Sequence, residues 1–372
     1  MRPIYLDYNA STPTASAVVA AMQPYFQANF GNPSSLHWAA REAREAVEAA
    51  RRQVAALLGC HADEVVFTSG GSEANNLALK GMFFRCQKQP AHLITSRIEH
   101  PAVIEPCRFL ERLGARVTYI PVDRTGLVDP DDIRGAITKD TFLISIMHAN
   151  NEVGTIQPIA EIAAIAHGHG IPLHTDAAQS VGKISTDTGE LGVDLLSVAG
   201  HKVYAPKGIG ALYIRRGIEI EPLVHGAGHE GGRRAGTESA LLSVVLGKAC
   251  DLARFWIGMP AVRRLRDLFW DNLRATFGHH VVLNGHPEHR LPNTLNVSFV
   301  GRVGAEILAR IPAVAASTGA ACHSGEITLS PVLRAMGIAP EAGMGAIRFS
   351  LGRDTTREDV DDVVSELRRV LT

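Results

Sequence analysis

The sequence predicts an α/β protein in which helices cover both faces of a mostly parallel sheet, with a smaller α+β domain packed against it. From about residue 15 to residue 214, helical apolar spacing alternates with short β-rich runs. Short apolar runs between helices are typical of strands that are buried on both faces. After the glycine-rich stretch 226–236 this alternation stops, which indicates a second domain.

The individual elements follow from the same patterns. Residues 38–58 place Ala, Val and Leu at helical spacing, with Arg and Glu between them. The strands predicted for the large sheet are residues 64–68, 92–95, 116–120, 142–147, 173–176 and 195–198. The second half is predicted to contain a helical stretch at 239–277 that breaks near 258–260, strands at 295–300, 313–316 and 346–351, and a helix at 357–370. We therefore expect a large domain of residues 15–255 and a small domain formed by residues 1–14 and 256–372.

Composition excludes several classes of protein. The 372 residues are 46% hydrophobic and 20% charged, as in a folded globular protein. Lys and Arg number 37 against 38 Asp and Glu, for a net charge of −1, which argues against a nucleic-acid binder or a polybasic membrane protein. No apolar run approaches the ~18–20 residues of a membrane span, and the N-terminus lacks a signal-peptide pattern. Five scattered cysteines without C-x-x-C suit reduced thiols, so we expect a cytoplasmic protein.

A phosphate site is predicted where the strand at 64–68 runs into Ser69-Gly70-Gly71-Ser72 and then a helix. Glycines let the backbone approach a ligand, and a helix N-terminus offers free N–H groups and a positive dipole end. The alternative is an ordinary strand-to-helix turn in which Ser72 caps the helix. The Lys-Ser/Thr of a Walker A loop is missing.

An acid and an amine follow two other predicted strands. Asp176 ends the strand at 173–176, and Lys202 follows the strand at 195–198. A desolvated lysine has a lowered pKa and becomes a usable nucleophile. A carboxylate for the pyridinium nitrogen and a lysine for the Schiff base are what pyridoxal phosphate needs from its protein. Lys207 competes with Lys202, and ordinary surface roles remain possible for each residue.

Further polar residues follow other strands. His100 could stack on a flat cofactor or be an ordinary loop histidine, and residues 150–152 supply amides.

Cys322 lies among small residues beside His323, where part of the thiol could be ionised. Arg348 is a cation within a strand pattern, suited to a substrate carboxylate or to a structural ion pair.

Metal binding and serine hydrolysis are not favoured. The histidine pairs at 167/169 and 279/280 have no third ligand at a recognisable spacing. There is also no G-x-S-x-G elbow. We therefore expect no metal.

Taken together, the motifs resemble the cysteine desulfurases, pyridoxal 5′-phosphate enzymes of aminotransferase fold type I. The matching motifs are LDYNASTP (6–13), GNPSS (31–35), FTSGGSE (67–73), EH (99–100), NNE (150–152), DAAQ (176–179), GHK (200–202) and RFS (348–350). They extend through nearly the whole chain in order, which makes the resemblance specific.

The resemblance implies roles for individual residues. Lys202 forms the Schiff base, Asp176 pairs with the pyridine nitrogen, and His100 stacks on the ring. The other implied cofactor contacts are Asn151 and Gln179 at the phenolic oxygen, Gly71, Ser72 and His201 at the phosphate, and Thr237 from the partner subunit of a homodimer.

The resemblance also implies the reaction. Arg348, with Asn151, binds the carboxylate of L-cysteine, and Cys322 attacks the substrate sulfur. The products are a persulfide on Cys322, for transfer to an acceptor protein that the sequence does not name, and L-alanine.

Three departures from the family pattern bear on this expectation. Ala199 stands where the family often has a hydroxyl that contacts the phosphate. The residues around Cys322, at 320–324, and the stretch 352–357 are closer to selenocysteine lyases. The chain ends at Thr372 without the long tail with which iron–sulfur-assembly desulfurases hold their scaffold, so the partner stays open.

The expected function is therefore a cysteine desulfurase. A selenocysteine lyase that uses the same residues is the first alternative, because a selenolate leaves more readily than a thiolate. A catalytically silent interaction protein on the same fold is the second, and the presence of both Lys202 and Asp176 argues against it.

Overall fold

The structure is a computed structural model that describes residues 2–88, 90–318, 322–323 and 326–372, without the side chains of 322, 323, 326 and 327. The strands in chain order are β1 (Ile4–Tyr5), β2 (Val65–Thr68), β3 (His92–Ser96), β4 (Arg116–Ile120), β5 (Thr141–Ser145), β6 (Leu173–Asp176), β7 (Leu195–Ala199), β8 (Gly210–Ile214), β9 (Val281–Asn284), β10 (Thr294–Phe299), β11 (Val314–Ala315), β12 (Cys322–His323), β13 (Glu326–Ile327) and β14 (Ala346–Ser350). The α-helices are α1 (Ser16–Met22), α2 (Pro24–Gln27), α3 (Arg41–Leu58), α4 (Gly71–Arg85), α5 (Pro101–Arg112), α6 (Pro130–Ala136), α7 (Ile159–Gly168), α8 (Thr188–Leu191), α9 (Ala240–Ala253), α10 (Pro260–Phe277), α11 (Gly304–Arg310), α12 (Pro331–Ala335), α13 (Pro340–Gly343) and α14 (Arg357–Leu371).

The central sheet has the strand order β2-β8-β7-β6-β5-β3-β4. Strands β3 to β7 pair in parallel, whereas β8 is antiparallel to both of its neighbours, β2 and β7. Strand β2 therefore runs in the same direction as β7. The carboxyl ends of all these strands except β8 lie at one edge, which is where α/β sheets bind ligands.

Helices cover both faces of this sheet. On one face, α3 and α9 contribute Val47, Leu58 and Leu246 to a core shared with Ile144 and Leu196 of the sheet. A separate core on α4 and α5 includes Leu77 and Leu110, together with the sheet residues Leu93 and Leu143. The predicted fold class, a mostly parallel sheet sandwiched by helices, is thereby confirmed.

A second region has its own sheet and core. Strand β10 pairs antiparallel with β9 and β14, and β1 pairs in parallel with β11. Leu6, Phe269, Leu295, Phe349 and Val363 share one hydrophobic core there. A core that joins the N-terminal strand to the last third of the chain supports the proposed small domain of residues 1–14 and 256–372. Throughout the described residues, no helix is long and apolar enough to cross a membrane.

Candidate active site

A cavity of about 410 Å³ opens at the carboxyl edge of the central sheet. The sequence-predicted site residues that line it are Gly71, Ser72, His100, Asn151, Asp176, Gln179, His201, Lys202 and Arg348. Residues that are far apart in the chain meet there because each follows a strand of one sheet or, for Arg348, lies on β14 beside it. Thr237, which the resemblance assigns to a partner's site, is exposed and is not part of the lining.

The N-terminus of α4 forms one end of the cavity. No side chain caps this helix, and a Cβ on Gly71 would lie only 3.1 Å from the Cβ of Ala199. The first turn of α4 therefore approaches the end of β7 closely, and its first N–H groups lack intrahelical acceptors. This arrangement suits a phosphate. Ala199 lines the same end with a methyl group only, so it supplies no hydroxyl there.

Asp176 is buried and held in a fixed orientation. Its Oδ2 accepts a hydrogen bond from Nδ2 of Asn75 at 2.7 Å, and its Oδ1 accepts one from the backbone N–H of Ala178 at 2.9 Å. Asn75 lies one turn after Gly71 on α4 and also lines the cavity, a role that sequence reasoning missed. Its spacing from Gly71 places it on the same face of the helix and could have revealed it.

The structure separates the two candidate lysines. Lys202 ends a short 3₁₀ turn after β7, lines the cavity and donates to the backbone oxygens of Asn9 and Ala10. Desolvation, reinforced by the positive charge of Arg348, lowers the pKa of Lys202 to about 8. Lys207 is exposed and lies outside the cavity. Of the two lysines, only Lys202 lines the cavity, where its amine can reach a ligand.

Two histidines in the site are kept neutral. Nδ1 of His100 accepts the N–H of Ala102 at 3.0 Å as the cap of α5, which leaves Nε2 to carry the proton. Desolvation, with a further contribution from the charge of Lys202, lowers the pKa of His100. Desolvation and Lys202 also lower the pKa of His201 to about 4. Neutral rings can lie against a cofactor without adding charge to it.

Arg348 extends from β14 into the cavity, and contacts with two neighbouring residues hold its guanidinium in place. Its Nη2 lies 2.8 Å from Oδ1 of Asp7, and its Nη1 donates to the backbone oxygen of Asn151 at 2.9 Å. Its Nε is buried and has no hydrogen-bond partner among the described residues. The sequence left open a structural ion pair or a substrate contact, and the geometry accommodates both.

The side chain of Cys322 lies outside the described residues, but both ends of the segment that carries it are attached beside the cavity. Ser317 exchanges backbone hydrogen bonds with Arg348 and donates its hydroxyl to Asp7 at 3.0 Å. At the other end, Ser330 donates to Oε2 of Glu152 at 2.5 Å. These two anchors limit how far Cys322 can lie from the site.

Asn9 is a second residue that sequence reasoning missed. Its side chain donates to Oγ1 of Thr294 at 2.8 Å and to the backbone oxygen of Asn151 at 3.2 Å, and its own backbone oxygen accepts Nζ of Lys202. It thus connects the lysine to the wall of the cavity. An asparagine on the irregular segment after β1 carries no periodic signal that would reveal this role.

These groups fit pyridoxal 5′-phosphate. The site combines free helix N–H groups beside a glycine, a fixed buried carboxylate, a lysine of lowered pKa and a neutral histidine ring. They match, in order, the phosphate, the pyridine nitrogen, the aldehyde and the ring face of that cofactor.

Comparisons with known proteins agree with this site. The model of the family "Aminotransferase class-V" matches residues 4–363. Cysteine desulfurase IscS of Dictyoglomus turgidum is 48% identical over 100% of this chain and 95% of its own length, and IscS of Escherichia coli O139:H28 is 44% identical over 99% and 92%. Among solved structures, a "NifS-like protein" superposes with a TM-score of 0.93 at 35% identity over 99% of both chains. The structure "SspA in complex with cysteine" has a TM-score of 0.84 at 40% identity, covering 94% of this chain and 98% of its own.

The fold and the cofactor are therefore those of a pyridoxal 5′-phosphate enzyme of fold type I. The chain belongs to the aminotransferase class-V family and, within it, to the cysteine desulfurases. The family, fold class and cofactor predicted from the sequence are confirmed.

Proposed function

We propose that this protein is a cysteine desulfurase that converts L-cysteine to L-alanine and retains the sulfur as a persulfide on Cys322. One observation supports this most strongly: Lys202, Asp176 and Arg348 line one cavity, beside which both ends of the segment that carries Cys322 are attached. A simple aminotransferase would have no use for a cysteine in that position.

Different residues of the cavity would hold different parts of the cofactor. Lys202 would attach it covalently, Asp176 would keep its ring nitrogen protonated, and the first turn of α4 would bind its phosphate. His201 would assist at the phosphate, while His100 would cover the ring and Asn151 and Gln179 would contact its phenolic oxygen. When bound, the cofactor withdraws electrons from the α-carbon of the substrate.

The substrate step uses Arg348 and Cys322. Arg348, with Asn151 beside it, would orient the substrate carboxylate so that the substrate sulfur faces Cys322. The Cys322 thiolate forms an S–S bond with that sulfur while the C–S bond of the substrate breaks. Thiol plus L-cysteine thereby becomes persulfide plus L-alanine, so atoms and electrons balance without an external oxidant.

A homodimer is part of the proposal. Leu36, Trp38 and Phe30 are 96%, 85% and 74% exposed, which is unusual for large apolar side chains on an isolated subunit. Thr237 is exposed and lies away from the cavity of its own chain, as a residue that serves a partner's site would be. Sedimentation velocity of the loaded protein should give the mass of two chains, and a monomer would contradict this part.

Cytoplasmic location is the remaining part of the proposal. The described cysteines other than Cys322, namely Cys60, Cys86, Cys107 and Cys250, are free thiols, as expected in a reducing compartment.

The test of function is alanine release by the cofactor-loaded protein. L-Cysteine should yield alanine with the wild type and with Cys86→Ala, a control outside the cavity, and should yield none with Cys322→Ala. Retained alanine release from L-cysteine by Cys322→Ala would contradict the mechanism.

A selenocysteine lyase is the second candidate, favoured by the residues at 320–324 around Cys322. Side-by-side kcat/KM values for L-cysteine and L-selenocysteine separate the two. Comparable values or a preference for L-cysteine support the desulfurase, whereas a preference for L-selenocysteine by several powers of ten makes the protein a lyase.

A further inference from the structure

Lys183 is a buried lysine that none of the roles described above uses. It is 5% exposed and lies on the helical turn that follows β6, four residues after Gln179. In the described part of the chain no carboxylate forms an ion pair with it. The adjoining cavity, which Lys202 also lines, measures about 10 Å³, enough for at most one water molecule. Burying a lysine in this way is costly, so its hydrogen bonds require an explanation.

Both hydrogen bonds that the lysine makes go to side-chain amides. Nζ of Lys183 donates to Oε1 of Gln179 at 3.0 Å and to Oδ1 of Asn9 at 3.1 Å. Oδ1 of Asn9 also accepts Nδ2 of Asn293 at 3.0 Å. Nε2 of Gln179 donates to the backbone oxygen of Asn9, and Nδ2 of Asn9 donates to that of Asn151, and a carbonyl oxygen can only accept. The amide oxygens are therefore the atoms that face Lys183, and its N–H groups hold both amides in this orientation.

The orientation of the Gln179 amide determines which of its hydrogen-bonding groups is available to a ligand. With Oε1 turned towards Lys183, Nε2 donates one hydrogen to the backbone oxygen of Asn9 at 2.9 Å. Nε2 makes no other hydrogen bond among the described residues, and the Gln179 side chain lines the active-site cavity. Its second hydrogen is therefore available as a donor to a ligand oxygen that carries negative charge.

We propose that Lys183 is a positioning residue that holds the Gln179 amide with its N–H towards the cavity and so stabilises the ionised phenolic oxygen of bound pyridoxal phosphate. This inference rests on the cofactor site of the proposed function and adds a residue to it. Lys183 acts through Gln179 and does not itself contact the cofactor.

The number of donors on Lys183 fits this assignment. Burial, together with the positive charges of Lys202 and Arg348, lowers the pKa of Lys183 well below the usual range of a lysine. Charged or neutral, the amine keeps at least two N–H donors, as many as the two amide oxygens require.

Lys183→Met tests the inference, because it removes both donors while keeping a long side chain. The readout is the pH at which the visible absorption of the bound cofactor changes, measured without substrate, together with the cofactor dissociation constant. We expect the midpoint to move upward by roughly one pH unit, the scale of one hydrogen bond, and the dissociation constant to rise. Lys207→Met, at the exposed lysine, should leave both quantities unchanged.

A double-mutant cycle separates positioning from a general effect on packing. In a Gln179→Ala background, Lys183→Met should cause no further shift of the midpoint, because the group that it orients is gone. Lys183→Gln, which keeps an amide donor, should shift the midpoint less than Lys183→Met, and it supplies the same cycle if the methionine variant does not fold.

An unchanged midpoint in folded Lys183→Met, or an equal shift with and without Gln179, would overturn the inference. A wild-type protein that binds no pyridoxal phosphate would instead overturn the proposed function together with it. The two failures are therefore distinguishable.

Discussion

The guanidinium of Arg348 and the carboxylate of Asp7 form an ion pair, with Nη2 and Oδ1 2.8 Å apart, at the wall of the active-site cavity. The pair joins β14 to the segment after β1, and Asp7 also accepts the hydroxyl of Ser317, where the segment that carries Cys322 begins. Arg348 is therefore oriented before a substrate carboxylate arrives, and its Nε remains without a partner among the described residues. Preorganisation of this kind lowers the cost of binding.

Arg348→Lys should weaken substrate binding more than it slows chemistry. Lysine keeps the charge but lacks the planar fork that contacts Asp7 and Asn151 together. Losing one charge-assisted hydrogen bond, worth about 1.5–3 kcal/mol, corresponds to roughly a 10- to 100-fold rise in KM for L-cysteine with a smaller change in kcat. Steady-state kinetics on the loaded variant check this. A loss confined to kcat would show that Arg348 does not bind the substrate carboxylate.

The rate of cofactor attachment should follow the ionisation of Lys202. Only the neutral amine is a nucleophile, and the pKa of Lys202 is lowered to about 8 by burial. When pyridoxal phosphate is added to cofactor-free protein, the rate of attachment should rise with pH and level off above about pH 8. Stopped-flow absorbance measures it, and a rate that kept rising to pH 10 would mean an unperturbed lysine.

A separate experiment identifies the lysine to which the cofactor attaches covalently. Lys202→Ala should bind no cofactor covalently, because the nucleophile is removed. Lys207→Ala, at the exposed lysine, should bind it as the wild type does. Borohydride reduction followed by peptide mass mapping reads out the site, and a label on Lys207 would refute the assignment.

Glu99 should make stability depend on pH. This carboxyl is fully buried next to His100, where its Oε1 accepts the hydroxyl of Ser96 at 2.6 Å and the N–H of Met147 at 2.9 Å. Burial raises its pKa to about 8, so the folded protein keeps a proton that the unfolded chain loses near pH 4.3. Between these values the stability that Glu99 contributes falls as pH rises, by up to ~1.4 kcal/mol per unit.

Glu99→Gln removes that dependence because its amide does not ionise. Relative to the wild type, the variant should gain free energy of unfolding steadily from about pH 5 to pH 8, as measured by denaturant unfolding of the loaded protein. Glu105→Gln, at an exposed position on α5, is the matched control and should run parallel to the wild type. Parallel curves for Glu99→Gln would show that Glu99 is ionised in the fold.

Much of the fold could be predicted because it follows from periodicity. The predicted strands differ from those observed by no more than a residue or two, since each is a short apolar run between helices. Strands β1, β8, β9, β12 and β13 were missed. The run at β8 follows a glycine-rich turn without a helix between it and β7, and it pairs antiparallel between β2 and β7, which a βαβ pattern does not anticipate. Which strands pair with each other in a sheet, and in which direction, is set by tertiary contacts.

The sequence predicted the site residues that end or directly follow a predicted strand, such as Asp176 and Lys202. Asn75, Asn9 and Lys183 were missed because they act through other residues, and their importance lies in hydrogen bonds between segments far apart in the chain. Spacing alone left Lys202 and Lys207 open, since both follow the same strand; the family resemblance assigned Lys202, and of the two only Lys202 lines the cavity.

The central claim is that sulfur moves from L-cysteine to Cys322, and the mass of the peptide that carries Cys322 tests it most directly. After one turnover without an acceptor or a reductant, that peptide should gain the mass of one sulfur atom, with one alanine formed per labelled site. The gain should disappear on reduction and should be absent in Lys202→Ala. Alanine formed in equal amount while Cys322 stays unmodified would contradict the account.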